Sequence, residues 1–95
     1  MIKLLSIQRS SRTTKKWMAN FKIYGKPRAT HFGADGMSNY TIHKDKQRRD
    51  RYRLRHANDN LDDPTSPGAL SYFILWGDST DFNANVREYR RRFGV

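Results

Sequence analysis

Residues 43–56 read HKDKQRRDRYRLRH. Seven of these fourteen are basic (Lys44, Lys46, Arg48, Arg49, Arg51, Arg53 and Arg55), and only Asp45 and Asp50 oppose them. Side chains of this kind do electrostatic rather than covalent chemistry. A guanidinium is a planar fork of donors that fits phosphate or carboxylate oxygens two at a time, and Arg outnumbers Lys here. Gln47 is the only side-chain amide in the run, so contacts to nucleic acid would fall on the backbone rather than on base edges.

The residues for bond-making chemistry are sparse. The three histidines are His31, His43 and His56, and the last two do not share a helical face at metal-ligand spacing. No HExxH, no Cys/His cluster, no GK[ST] and no GxGxxG occurs. His43 beside Lys44-Asp45 is the nearest thing to a hydrolytic set. It lacks a second carboxylate pair and reads better as a loop-to-helix hydrogen-bonding residue. The expectation is a protein that is not an enzyme and needs neither metal nor cofactor.

Charge is distributed unevenly along the 95 residues, which carry a formal net charge of +10. Residues 1–42 hold eight basic and one acidic residue, residues 43–56 seven and two, residues 57–85 none and five, and residues 86–95 four and one. Three destinies for the basic run follow. It is a solvated face, or it is neutralised from within by Asp59, Asp62, Asp63, Asp78 and Asp81, or it meets an external polyanion. Internal neutralisation would still leave the strands and the C-terminal Arg87, Arg90 and Arg91 strongly positive, which favours the external partner.

The elements that must position these charges are legible from periodicity. In KKWMANFKIY (15–24), Trp17, Ala19, Phe21 and Ile23 alternate with Met18, Asn20, Lys22 and Tyr24, the period of a half-buried strand. Strands are expected at about 2–8, 15–24 and 28–33, with Gly25-Lys26-Pro27 as the second turn and 33–39 as loop. Helices are expected at about 44–58, capped by Asp45, at 67–76, entered through Ser66-Pro67, and at 80–92, capped by Thr80 or Asp78. On the first of these, Tyr52 and Leu54 lie roughly 200° apart at about 100° per residue, so only a narrow edge bearing Tyr52 and His56 is available for docking. Phe82, Val86, Tyr89 and Phe93 form an apolar stripe on the last helix, with Arg87, Arg90 and Arg91 opposite.

The fold class is therefore α+β: a three-stranded antiparallel meander followed by three helices in one small domain. Trp17, Phe21, Phe73, Trp76, Phe82 and Tyr89 are expected in one core, with Phe73 as a costly position to truncate. The mean hydropathy of −0.96 is low for a folded chain, but five Phe, five Tyr and two Trp supply large burial per residue. Without cysteine, neither a disulfide framework nor a thiolate site is available. No apolar stretch approaches membrane-spanning length, and the protein is expected to be soluble.

His31-Phe32-Gly33, Tyr40-Thr41, His43-Lys44-Asp45, Arg51-Tyr52, Arg55-His56, Leu70-Ser71 and Leu75-Trp76 together resemble the pattern of a family of small basic proteins encoded by large nucleocytoplasmic DNA viruses. The resemblance covers about residues 15 to 93. Lys46 departs from it, where a Pro often follows His-Lys-Asp, as does Gly77-Asp78, where Asn-Lys-Pro is common. What it implies is a viral setting: virion, infected-cell cytoplasm or virus factory. It supplies no catalytic residues. Two polyvalent partners follow, the packaged genome and the proteins of the capsid lattice. The reading that leads is non-sequence-specific binding of nucleic-acid backbone through the basic helix and the C-terminal arginines. The alternative is a minor capsid or virion structural protein using the same charges to bridge acidic neighbours.

Overall fold

The computed structural model describes all residues from Met1 to Val95. Three antiparallel strands, β1 (Ile2–Arg9), β2 (Lys15–Ile23) and β3 (Lys26–Ala34), form a sheet in the order β1-β2-β3. The α+β meander read from the sequence is the fold. The second turn is shorter than expected, because Tyr24 and Gly25 alone make it, both at positive φ (49° and 83°). A two-residue loop of that hand matches the twist of the strands. Lys26 and Pro27 consequently belong to β3, where Pro27 is tolerated because β3 is an edge strand.

A bulge at Leu5 sets the register of β1. Leu4 pairs with Phe21, then Ser6 with Asn20 and Ile7 with Ala19. The extra residue turns Ser6 outward and returns Ile7 to the core face, which strict alternation from Leu4 would have reversed. On the outer face, the Asn20 side chain donates to Ser6 Oγ and Gln8 Oε1.

Four helical pieces follow the sheet along the chain: α1 (Tyr40–His43), α2 (Lys46–Arg55), α3 (Pro67–Leu70) and α4 (Phe82–Phe93). Each start carries its cap. Asn39 accepts from the Thr41 N–H, Asp45 from Gln47 and Arg48, Ser66 from Ala69, and Asp81 from Asn83. A single turn not expected from sequence, α1, fills residues 40–43 after the loop at 33–39, started by the Asn39 side chain, and two expectations are corrected. The basic helix is shorter at both ends than 44–58, since Lys44 sits in the left-handed region (φ 58°) and His56 closes the helix. Asp81, rather than Thr80 or Asp78, caps α4.

The third expected helix also changes character midway. After α3 the chain widens into a π turn over Ser71–Leu75, closed by the Trp76 N–H donating to the Ser71 carbonyl at 3.0 Å. Gly77 follows, packed so tightly that a Cβ would lie 2.2 Å from the Phe73 carbonyl oxygen and 2.8 Å from Asn85 Cγ. Asn85 of α4 ties this junction down. Its amide donates to the Ile74 and Ser79 carbonyls at 2.9 and 2.7 Å, and its oxygen accepts from the Ser79 N–H at 3.0 Å. Every polar atom of this buried side chain is satisfied.

The buried core comprises Leu4, Ala19, Phe21, Phe32, Ala69, Leu70, Ile74, Leu75 and Tyr89. Of the six expected core residues, Phe21 and Tyr89 are inside. Trp17, Phe73, Trp76 and Phe82 pack against the core from its rim, with Trp17 and Phe82 in ring contact at 4.8 Å. The fully buried second phenylalanine is Phe32 rather than Phe73.

The loop before α3 is pinned to the sheet by Thr65, whose carbonyl accepts from Thr30 Oγ1 at 2.7 Å. Thr65 itself donates through N–H and Oγ1 to the Asp63 carboxylate, which these bonds hold below the usual carboxylate range. Because the folded-state value lies below the unfolded one, this stabilisation is complete above the ordinary value of 3.8 and drains away as pH falls through the folded value. Asp63→Asn keeps an acceptor oxygen but cannot titrate. Acid titrations of stability should therefore show a shallower fall below about pH 4 in Asp63→Asn than in the wild type; superimposable acid limbs would remove Asp63 from this role.

Candidate polyanion-binding cleft

The basic helix has two working sides. Arg49, Tyr52, Arg53 and His56 follow the i, i+3, i+4, i+7 spacing of a helix seam, and they dock α2 on the rest of the molecule. Arg49 is buried, its side chain only 10% exposed. Its guanidinium lies 4.9 Å from the Tyr40 ring centroid and donates to Asp50 Oδ1 and towards the Asp78 carbonyl. Arg53 donates from Nε to the Trp76 carbonyl at 2.8 Å and from Nη2 to Asp78 Oδ1 at 2.9 Å. The hydrogen bond from Arg53 holds the Asp78 carboxyl below its ordinary range.

Between the two arginines, Tyr52 lies flat on Trp76 (4.2 Å, 6°) and under His56 (4.1 Å, 25°). Burial pushes its hydroxyl up to about 12, so it stays a neutral phenol. His43 tilts against Trp76 at 5.2 Å. Its Nδ1 accepts from the Asp45 N–H at 2.9 Å, which places the proton on the buried Nε2, an atom with no hydrogen-bond partner. Burial, aided by Arg48, lowers the His43 pKa and keeps the ring neutral. His43 thus bridges loop and helix, as its sequence context suggests. Four rings, His56, Tyr52, Trp76 and His43, form a ladder that joins α2 to the end of the π turn.

The other side of α2 is unpaired. Arg48, Arg51 and Arg55, at i, i+3 and i+7, face a cleft of about 390 Å³ between α2, the β3 end and the π turn. Lys16 joins them from β2, its ammonium held by the Met37 carbonyl. Tyr52, His56, Leu75 and Trp76 supply rings and apolar surface, and Gly33 forms part of the wall. No carboxylate lines the cleft, and none of its three arginines forms an ion pair. The helix dipole does not account for Arg48, a cation in a first turn that has no acidic residue, although it favours Arg55 in the last turn.

The ten basic residues singled out by sequence therefore separate. Arg48, Arg51 and Arg55 converge on the cleft. Arg49 and Arg53 are spent inside the fold. Lys44, Lys46 and Arg87 are exposed and stand apart from the cleft. Arg90 reaches the Leu4 carbonyl, and Arg91 pairs with Glu88 on its own helix, so the C-terminal arginines do not extend the surface made by α2. Internal neutralisation is real but partial. Asp78 meets Arg53, whereas Asp59 hydrogen-bonds His56 and Asp63 and Asp81 serve as local caps. Lys16 and the ring ladder are the parts of the site that sequence reasoning missed.

Residues 5–56 match a family of unknown function (DUF5754). That segment is more than half of the chain and holds most of the sheet together with all of α2. The chain belongs to this family. None of the curated proteins and none of the solved structures matches it. Lys16, Arg48, Arg51, Arg55 and His56 all lie inside the matched segment, whereas Leu75 and Trp76 of the cleft lie beyond it.

Proposed function

We propose that this protein binds the phosphate backbone of nucleic acid through the cleft beside α2, without reading base sequence. The observation that carries this is the convergence of Arg48, Arg51, Arg55 and Lys16 on one concavity that contains no carboxylate. Four uncompensated cations facing one space repel each other unless an anion joins them. A repeating polyanion satisfies them together. Guanidinium forks favour phosphate oxygens, and the cleft has little to read bases with, since the Asn39 side-chain oxygen is already taken by the Thr41 N–H and Oγ1. In the viral setting implied by the sequence resemblance, the polymer is the genome. No helix in the fold is long and apolar enough to cross a membrane.

The test is the salt dependence of binding. Each phosphate neutralised releases condensed counterions, so log K falls with log salt by about 0.9 per phosphate on duplex and about 0.7 on single strands. Four contacts give a slope near −3 to −4 by that rule. R48Q/R51Q/R55Q should flatten the slope by up to about 3 and weaken binding equally on unrelated sequences. K44Q/K46Q/R87Q removes the same formal charge away from the cleft and should leave most of the slope. Equal slopes for wild type and R48Q/R51Q/R55Q would reject the cleft as a phosphate grip. If that variant instead lost association with an acidic virion protein, the same charges would belong to a structural role.

A further inference from the structure

We infer that the cleft takes a single strand, with one unpaired base stacked on the imidazole of His56. This rests on the reading that the cleft's cations meet phosphate. A phosphate grip alone has no use for an aromatic and apolar lining, yet Tyr52, Trp76 and Leu75 form part of this one beside the arginines. In a duplex the bases are covered by their neighbours, and only phosphates and groove edges could reach such a concavity. In a single strand the base is free to leave the solvent with its phosphate.

The ring that receives it follows from the ladder. Trp76 has Tyr52 stacked flat on it and His43 tilted against it, and Tyr52 is sandwiched between Trp76 and His56. His56 is the end of the stack. One of its faces covers Tyr52, its Nδ1 is held by Asp59 at 2.8 Å, and the side chain still keeps 38% of its exposure. Its ring is therefore fixed in orientation, lines the cleft and lies next in sequence to Arg55. A base laid on His56 would add a rung to the ladder while the adjoining phosphates meet Arg51 and Arg55. Stacking of this kind tolerates any base, in keeping with a site that reads no sequence.

The probes are a short thymidine oligonucleotide, a strand of the same length made of abasic units, and a duplex. Wild-type protein should bind the thymidine strand about five- to 150-fold more tightly than the abasic strand, the range that one stacked base contributes. His56→Ala should erase that preference, read as the ratio of the two affinities in the same variant, whereas His56→Phe should restore it. Melting curves show whether each variant is folded, and the thymidine-to-abasic comparison requires no variant. Equal affinity of wild type for the two strands would overturn the stacking. So would His56→Phe behaving as His56→Ala, because the imidazole would then act through its bond to Asp59 rather than through its face. If the salt slope holds while the abasic strand binds equally well, only the stacking fails; if R48Q/R51Q/R55Q leaves the slope intact, the cleft itself does.

Discussion

Gly77→Ala is expected to destabilise the protein by at least about 3 kcal/mol, although it adds a single methyl group. The nearest atom to that methyl would be the Phe73 backbone oxygen at 2.2 Å, and a carbonyl inside a helical turn cannot rotate away without breaking its turn. The next nearest belong to Asn85. Moving Asn85 would unmake the bonds to the Ile74 carbonyl and to both backbone groups of Ser79. Buried polar groups left without partners cost about 1–3 kcal/mol each. Overpacking and lost hydrogen bonds therefore act together, and urea titration measures the sum. A midpoint within experimental error of wild type would mean that the junction is looser than its packing implies.

Phe21→Ala should cost about 3–5 kcal/mol, the range for emptying a buried aromatic site. Phe21 is 1% exposed and pairs across the sheet with Leu4, so the cavity would open between strands that are joined on both sides. A chain of this length has on the order of 5–14 kcal/mol of stability in total at about 0.05–0.15 kcal/mol per residue. The loss is a large part of the whole, and a fall in Tm of more than about 12 °C is expected. Phe73→Ala makes the informative comparison. Phe73 lies at the rim, touching Tyr72, Tyr89 and Phe93 and carrying the Arg92 guanidinium at 4.3 Å, so water can enter the space it leaves. Its cost should be clearly smaller. The reverse order would move the centre of the core to the helical side.

The sheet was the most legible part of the fold, because period-two alternation from Trp17 to Ile23 leaves one assignment of inner and outer faces. Asp45 as cap and Ser66-Pro67 as helix start were legible for the same reason: few residues satisfy those backbone positions. The docking of α2 was hidden. Its seam uses Arg49 and Arg53 among four residues, and hydropathy counts arginine as solvent-facing whatever its partners are. Apart from Asp50 beside Arg49, the groups that make burial of those guanidinium groups tolerable, the Trp76 and Asp78 carbonyls, the Asp78 carboxylate and the ring of Tyr40, lie outside the helix. The unpaired trio Arg48, Arg51 and Arg55 was visible as spacing, but not as a wall of a cleft, since Lys16, Gly33 and Trp76 reach it from distant parts of the chain. The π turn has no local sequence mark.

The exposed segment Ala57–Asn60 divides the chain into two pieces that are not domains. The piece before it contributes Leu4, Ala19, Phe21 and Phe32 to the interior, and the piece after it Ala69, Leu70, Ile74, Leu75 and Tyr89. Neither owns a closed interior. The cleft has the same double parentage, its cations coming from the first piece and Ser71, Leu75 and Trp76 from the second. During synthesis the whole basic run emerges from the ribosome before Trp76 and Asp78, which anchor it, have emerged. The nascent chain is then a flexible polycation, and a shaped site appears only once the C-terminal half arrives, so translation order imposes a delay between carrying the charge and aiming it.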